Sequence, residues 1–553
     1  MPSLSRRQLL VGAPGLLHAQ GQAAGFHFTD VTAAAGIHYV HNTGAFGKKY
    51  LPETLGPGCA FLDYDADGWQ DILIVNGADW PAHKTRRTTM HLYRNNRNGT
   101  FTDVTRAAGL DAEMYGLGVC TGDYNNDGFP DIYVTCLGQN RLFRNTGKGS
   151  FVDVTSKAGL GGREGFSTSA LWVDYDRDGL LDLFVCNYVR WSPDLDLRCS
   201  VSGKEKSYCT PEAYRGTTCW LFRNRGDGSF EDVTAKAGIF DSSSKSLGVA
   251  MFDYDTDGWP DLFVANDTQP NKLYRNQHNG TFAEVALKAG VAFSEDGRAR
   301  AGMGVDAADY DNSGISSLAV TNFHNEMLAL YHGSRAGTFT DVAPNSEVGR
   351  ATRRSLGFGC FFFDANLDGL LDLLVVNGHI DDSVARLRAD VKFAQSPHLF
   401  LNQGQGKFLE ASRAAGAAFL QPKVGRGAAF GDFDNDGDLD VLVTTNGGPA
   451  YLYRNDVTGG NHSLRLRLVG TKSNRDGIGA VVSLTAGGVT SSRTVKSGSS
   501  YLSQSQLPLT FGLGQHTLAE RVVIEWPSGR VEEFKNVKAG PQYQCVEGKG
   551  LQP

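Results

Sequence analysis

The sequence predicts an all-β chain: a seven-bladed β-propeller closed by its N-terminal strand and followed by a small β-rich, sandwich-like domain. Three observations predict it. Acidic nonapeptides begin at Asp63, Asp123, Asp174, Asp253, Asp309, Asp364 and Asp432, at spacings of 60, 51, 79, 56, 55 and 68 residues. Each runs into a short apolar segment of strand character: ILIV, IYVT, LFVC, LFVA, LAVT, LLVV and VLVT. A small residue stands five before each first Asp, at Gly58, Gly118, Ser169, Gly248, Gly304, Gly359 and Gly427. Self-similarity of this kind marks a repeat architecture, strands crowding a common axis need small side chains, and radial repetition limits exposed sheet edges.

Residues 1–24 differ in kind. MPSLSRRQLLVGAPGLLHAQGQAAG has a basic start, a short apolar stretch and small residues at its end, with Ala19 or Ala23 as the cleavage point of an export signal. The run Ser5-Arg6-Arg7-Gln8-Leu9-Leu10 resembles a twin-arginine signal, which implies a bacterial source and a periplasmic or extracellular destination.

The propeller is expected over residues 25–456. Each unit closes with a hairpin such as LYRNNRNGTF (Leu92 to Phe101) or LFRNTGKGSF (Leu142 to Phe151), in which an Asn-Gly or Gly-containing turn joins two strands. The first FTDVT (Phe28 to Thr32) has no hairpin partner before it, and the last LYRN (Leu452 to Asn455) has no Gly-x-Phe strand after it. Each supplies what the other lacks, so the N-terminal strand is expected to complete the seventh blade beside Tyr451 to Arg454.

Composition excludes several classes. Charged residues are 20% of the chain and the formal net charge is −7, without the basic footprint of a nucleic-acid binder. No apolar run reaches the roughly 18 residues of a membrane span. HExxH, GxSxG and CxxC are absent, and the glycine-rich Gly116 to Gly122 leads into DYNND and reads as an inner strand, not a phosphate loop. His38 and His41 read as an ordinary pair ahead of the first inner strand.

The nonapeptide pattern D-x-[DN]-x-D-G-x-x-D has the logic of a calcium loop. A hard cation takes six to eight oxygens, alternate residues of a turn aim carboxylates at one centre, and glycine at the sixth position permits the bend. The ligand positions are Asp63, Asp65, Asp67 and Asp71; Asp123, Asn125, Asp127 and Asp131; Asp174, Asp176, Asp178 and Asp182; Asp253, Asp255, Asp257 and Asp261; Asp364, Asn366, Asp368 and Asp372; and Asp432, Asp434, Asp436 and Asp440. In the fifth loop Ser313 and Ser317 replace the Asp of positions five and nine, so about six structural Ca²⁺ sites are expected. Asp438 is expected to bind through its carbonyl and to leave its side chain in solvent.

On these motifs the units resemble FG-GAP or VCBS repeats, the repeats of integrin α-subunit propellers and many bacterial secreted proteins. The resemblance implies a calcium-stabilised propeller in an adhesive or binding setting, with calcium between the first two strands of a blade, opposite the usual ligand surface. Beyond Asn455, residues 457–553 are strand-rich. SNRDGIGAVVSL (Ser473 to Leu484), GSSYLSQSQLPLTFGLG (Gly498 to Gly514) and VVIEWPSGRVEEF (Val522 to Phe534) resemble the ASPIC/UnbV domain of the cartilage acidic protein-like family.

Long insertions join strands two and three in blades one, three and six. They carry Trp80, His83, Tyr188, Trp191, Tyr208, Tyr214 and His379, a set suited to glycan stacking or protein anchoring or, alternatively, to packing within the insertions themselves. Cys199 and Cys209 are expected to form a disulfide in the third insertion, while Cys59, Cys120 and Cys360 read as small buried hydrophobes. An Asn ends most second strands, among them Asn76, Asn187 and Asn446, and is read as satisfying its own turn.

The leading expectation is a secreted, non-enzymatic binding or adhesion protein for a glycan or extracellular protein. The alternatives are a secreted polysaccharide-acting enzyme at the channel mouth, with Asp381 and Asp382 beside His379, and a periplasmic scaffold.

Overall fold

The structure, a computed structural model, describes residues 25–200, 203 and 205–552. The expected export signal lies outside the described residues.

Seven four-stranded antiparallel blades form a closed ring. Blade 1 runs through Cys59–Leu62, Asp71–Ile74, His91–Asn95 and Phe101–Asp103, and the order repeats to blade 6, Gly357–Phe363, Asp372–Asn377, His398–Asn402 and Phe408–Glu410. The first strand of each blade touches that of the next, and the seventh touches the first. Blade 7 takes Gly425–Gly431, Asp440–Thr445 and Tyr451–Asn455, and its fourth strand is Phe28–Asp30. Phe28 lies opposite Asn455 and Asp30 opposite Tyr453, so the two ends of the propeller segment close the ring as expected. Phe28 is fully buried and stacks on Phe419 at 5.5 Å, which anchors a three-residue strand that hydrogen bonds alone would hold weakly.

The Asn that ends the third strand of every blade but the fifth, after Arg in five blades and after Leu401 in blade 6, does more than open a hairpin. It donates its backbone N–H to the last Asp of the same blade's acidic loop, at 2.7–2.8 Å in six blades. Its side-chain Nδ2 crosses to the carbonyl of the second loop residue in the preceding blade: Asn145 to Tyr64, Asn224 to Tyr124, Asn276 to Tyr175, Asn402 to Tyr310, Asn455 to Ala365, and Asn95 to Phe433, at 2.6–2.8 Å. A buried amide satisfied on both blades ties each loop to its neighbour. Blade 5 departs: it has Gly333 at this position.

The C-terminal region is a sandwich of two four-stranded sheets. One is Val489–Thr494, Val481–Ala486, Leu518–Glu525 and Val531–Lys538; the other is Leu509–Gly514, His462–Val469, Gln542–Val546 and Gly550–Gln552. Leu464, Leu466, Val482, Phe511, Val522 and Ile524 alternate inward to form its core.

Between Thr494 and Leu509 the chain leaves the sandwich and enters the axial channel of the propeller. Ser500 exchanges both backbone hydrogen bonds with Val305 at 2.9 Å, Leu502 O accepts from Val119 N at 3.0 Å, and Gln504 bonds Phe61 N and Cys59 O. The small inner residues make room for it. A Cβ on Gly58 would lie 1.9 Å from Leu502 O, and one on Gly248 would lie 2.3 Å from Met303 O of the next blade.

Candidate metal loops and the plugged channel

Each acidic loop is folded by its own carboxylates. The first Asp accepts the N–H of the sixth-position glycine through Oδ2 in all seven loops, at 2.6–3.1 Å. That glycine has φ between +80° and +104° in all seven loops, a conformation that L side chains adopt at a cost. The fourth position is also left-handed, although it is never glycine: Ala66, Asn126, Arg177, Thr256, Asn312, Leu367 and Asn435.

The loops thereby gather the first, third and ninth carboxylates. In blades 1, 3, 4 and 7, Asp63/Asp65/Asp71, Asp174/Asp176/Asp182, Asp253/Asp255/Asp261 and Asp432/Asp434/Asp440 each bring three ligand oxygens within 4.8 Å of one another and could hold a metal ion. The fifth-position Asp stands outside these triads. Asp67 pairs with Arg97 at 2.7 Å, Asp178 with Arg223 at 3.2 Å, and Asp257 with His278 at 2.8 Å. In blades 2 and 6 the third position is an amide turned to the fifth: Asn125 Nδ2 donates to Asp127 and Asn366 Nδ2 to Asp368, each at 3.0 Å.

The donor set fits a hard cation. Asp65 Oδ1, Asp131 Oδ2, Asp174 Oδ1, Asp176 Oδ1, Asp255 Oδ1, Asp432 Oδ1 and Asp434 Oδ1 are buried with no hydrogen-bond partner. Burial first, then neighbouring carboxylates, pushes the ninth-position acids up: Asp71 and Asp261 to about 8 and Asp131 to about 9, with Asp182, Asp372 and Asp440 also far above the carboxylate range. Such groups ionise together only against a cation. In the fifth loop the first-position Asp309 is raised to about 6, mainly by burial, and no ninth-position carboxylate faces it.

Asp438 corrects the sequence expectation. Its side chain is 5% exposed and accepts Val457 N at 2.9 Å, capping the linker into the sandwich.

The sandwich docks on this same acidic face. Arg465 pairs with Asp432, Arg467 Nη1 reaches Asp63 at 3.2 Å, and Asp476 accepts Asp123 N at 2.7 Å. Asn461 donates to Asn366 O at 2.8 Å and Arg177 to Pro527 O at 2.6 Å.

The plug segment explains its own Ser/Gln-rich composition. Ser497 Oγ accepts Trp172 N, Ser503 Oγ accepts Cys59 N, Ser505 Oγ accepts Phe430 N, and the Gln504 and Gln506 side chains accept Thr121 N and Asp432 N, at 2.6–3.2 Å. Each polar side chain answers an inner-strand amide that an open channel would leave to water. At the tip, fully buried Tyr501 meets Phe358 edge-on at 5.0 Å, and the buried Arg426 guanidinium covers that phenyl ring at 3.9 Å.

The opposite face is closed by the insertions, and of the two readings of their aromatics, packing is the one observed for most of the set. Trp80, Tyr188, Trp191, Tyr214 and His379 are buried. Tyr50 joins Trp80 and Trp191 at 5.1 and 5.3 Å, in one cluster with Tyr501 and Leu502. Aromatics from separate insertions thus share a single core with the plug tip. Tyr208 is half-buried and donates to Glu53 at 3.0 Å; His83 is exposed and stacks on Phe46. The disulfide Cys199–Cys209 is formed, and Cys59, Cys120 and Cys360 are buried.

The channel-mouth acids do not converge. Asp382 pairs with Lys49 at 2.5 Å, Asp381 accepts Ser383, and buried His379 accepts Asp381 N through Nδ1, its imidazole lowered to about 4 mainly by burial. Of the second-strand Asn residues, Asn266 satisfies its own turn through Pro270 O at 2.8 Å, whereas Asn187 reaches Thr218 O and Asn446 crosses to Glu53 O, both at 2.9 Å. His38 is exposed and His41 buried, so the two do not form a metal pair. The interblade Asn bonds, the plug and the docking arginines were not read from the sequence; the recurrence of Asn at the end of six of the seven third strands was the available signal for the first.

With this geometry in hand, comparisons with known proteins are consistent. Residues 63–134, 132–185, 212–264, 253–320 and 387–443 match the FG-GAP-like repeat family, together more than half of the chain. Residues 470–552 match ASPIC and UnbV. Cartilage acidic protein 1 of Homo sapiens is 26% identical over 330 residues, covering 59% of this chain and 47% of the relative. The Mus musculus protein is 26% identical over 314 residues, 56% and 46% of the two chains. The match therefore spans about half the length of either relative. Among solved structures, an Agrocybe aegerita protein that recognises non-reducing terminal N-acetylglucosamine aligns with a TM-score of 0.40 at 15% identity, over 71% of this chain and 87% of that one. The chain belongs to the FG-GAP-like repeat family, as a propeller that carries a C-terminal ASPIC and UnbV domain.

Proposed function

We propose that the protein is an exported, calcium-binding propeller that acts as a non-enzymatic binding module for a glycan or protein ligand. The observation that carries the calcium reading is the set of buried, partnerless carboxylate oxygens at the centres of the loops. The first, third and ninth positions would hold the ion in blades 1, 3, 4 and 7, with Asp123 and Asp131, and Asp364 and Asp372, serving blades 2 and 6. Calcium would neutralise carboxylates that otherwise repel one another, and so fix each blade's first turn. The Cys199–Cys209 bridge suits an oxidising compartment and supports export.

The binding reading is favoured over catalysis because the acids and histidine first suspected at the channel mouth are engaged in local pairs, and because the channel is filled by the chain's own plug. In this reading the C-terminal domain corks the propeller. The test is a screen of the calcium-loaded protein against glycans and secreted proteins, with parallel assays for product formation. Saturable binding without turnover is expected. Turnover abolished by His379→Ala or Asp381→Asn would replace the binding reading with the enzymatic one.

A further inference from the structure

We propose that the cavity between the fifth-blade loop and the C-terminal hairpin is a saccharide site, with Asp309 and Arg493 as its two charged poles. The proposal rests on the binding-module reading and gives it a place and a ligand class.

The cavity exists because the sandwich is held elsewhere. Its docking contacts fall on blades 1, 2, 3, 6 and 7, while Lys496, where the plug begins, pairs with Asp306 of blade 5. Over blades 4 and 5 it stands off the propeller and leaves a cavity of about 590 Å³. That size falls within the roughly 300–1,000 Å³ of small-ligand pockets.

Two charged groups line it. Asp309 accepts Gly314 N and Ser313 N, each at 2.9 Å, and belongs to the loop that lacks a full ligand set. Arg493 donates through Nη1 to Ser492 O at 2.9 Å, yet its Nε and Nη2 are buried and partnerless. Packing over Phe511 at 5.3 Å, the guanidinium is held in place by carbon while two of its donor nitrogens await acceptors. Leaving them so is costly, and a bound hydroxyl group would relieve that cost.

The rest of the lining narrows the ligand class. Ser483 and Thr490 offer hydroxyls, while the half-buried Phe430 gives an apolar patch. Alternating donors and acceptors beside an aromatic ring match a pyranose, whose hydroxyls both donate and accept and whose C–H face packs on carbon. Glu525 and Asp253 also line the cavity and disfavour an anion. The ligand inferred is a neutral saccharide of one or two rings.

The experiment places the calcium-loaded full chain on an array of neutral and acidic mono- and disaccharides, then titrates the strongest neutral binder into wild type, Arg493→Met and Thr490→Trp. Thr490 is exposed at the rim, so the indole fills the cavity without disturbing a core. One saturable site on wild type is expected, weakened at least tenfold in both variants while melting temperature and calcium content stay unchanged. Undiminished binding in both variants overturns the site and leaves the binding-module reading standing. Binding confined to acidic sugars overturns the ligand class, and binding only to proteins overturns the saccharide inference altogether.

Discussion

The backbone N–H of Gly333 donates to Ser317 Oγ at 3.1 Å, where the other blades join an Asn amide to an Asp carboxylate. Blade 5 keeps the backbone donor, exchanges the carboxylate acceptor for a hydroxyl, and lacks the side-chain amide that crosses to the preceding blade. The pairing also shows what would restore the loop. Ser313→Asp combined with Ser317→Asp supplies the missing positions, so the double variant should bind one more calcium ion per chain than wild type. Equilibrium dialysis with metal analysis checks the difference; equal stoichiometry would mean that the fifth loop's backbone is unsuited to the ion.

The interblade amide is expected to be worth more than one ordinary hydrogen bond. Asn224 is 3% exposed, and its Nδ2 bonds Tyr124 O at 2.8 Å and Leu181 O at 3.0 Å. Asn224→Ala strands two buried carbonyls and should cost about 2–6 kcal/mol, at roughly 1–3 kcal/mol for each unsatisfied group. A denaturant titration in saturating calcium measures it, and a loss under about 0.5 kcal/mol, below even one net hydrogen bond, would contradict the staple.

Removing calcium should lower the melting temperature and reverse the response to pH. In the ion-free protein Asp71 and Asp261 are raised to about 8, chiefly by burial. Between roughly pH 4 and 8 the unfolded chain releases protons that these folded carboxyls keep, so ion-free stability declines with rising pH, by about 1.4 kcal/mol per unit for each such group. With calcium bound the carboxylates are held ionised, and acid destabilises by competing for them. Melting curves at pH 5 and 8, with and without chelator, should therefore diverge most at pH 8.

His41 contributes acid sensitivity of its own. It is 4% exposed, accepts Gly447 N at 3.1 Å, and is lowered to about 3, mainly by burial and then by the Arg426 charge. A depressed histidine stabilises the fold fully above its unfolded value near 6.5, and that stability is lost as pH falls from there toward 3, at about 1.4 kcal/mol per unit. The His41→Gln variant should show a flatter stability profile between pH 6.5 and 4 in saturating calcium; a profile parallel to wild type would rule out the assignment.

Tyr501 is expected to hold the cork. Tyr501→Ala empties a fully buried site between Phe358 and the insertion core, at a cost of about 3–5 kcal/mol by analogy with large-to-small aromatic substitutions. Proteolysis in the 456–461 linker should then release the C-terminal region faster than from wild type. Unchanged release would show that docking through Arg465 and Arg467 suffices.

The propeller was legible because its turns demand particular residues: carboxylates at fixed positions, and glycine where φ exceeds +80°. Ring closure was legible because Phe28 to Asp30 and Tyr451 to Asn455 are each half of a hairpin. The plug was not, since GSSYLSQSQ has no apolar period and its polar groups are answered by strands hundreds of residues away. Trp80, Tyr188 and Trp191 stayed between ligand contact and packing for a related reason: sequence shows that three insertions are aromatic, but not that they meet. Asp438 looked superfluous to its loop until Val457 supplied a partner from beyond the repeat.

The bond from Cys59 N to Ser503 Oγ joins residues 444 positions apart, from the first inner strand of the ring to the last domain of the chain. During synthesis the inner strands emerge long before the segment that satisfies them, so final consolidation waits for the C-terminus, and loops of this span close slowly. The same order runs backwards in unfolding. The cork must be withdrawn before the blades can part, which makes the barrier to opening, more than the equilibrium stability of any blade, the quantity that sets how long the assembled molecule survives.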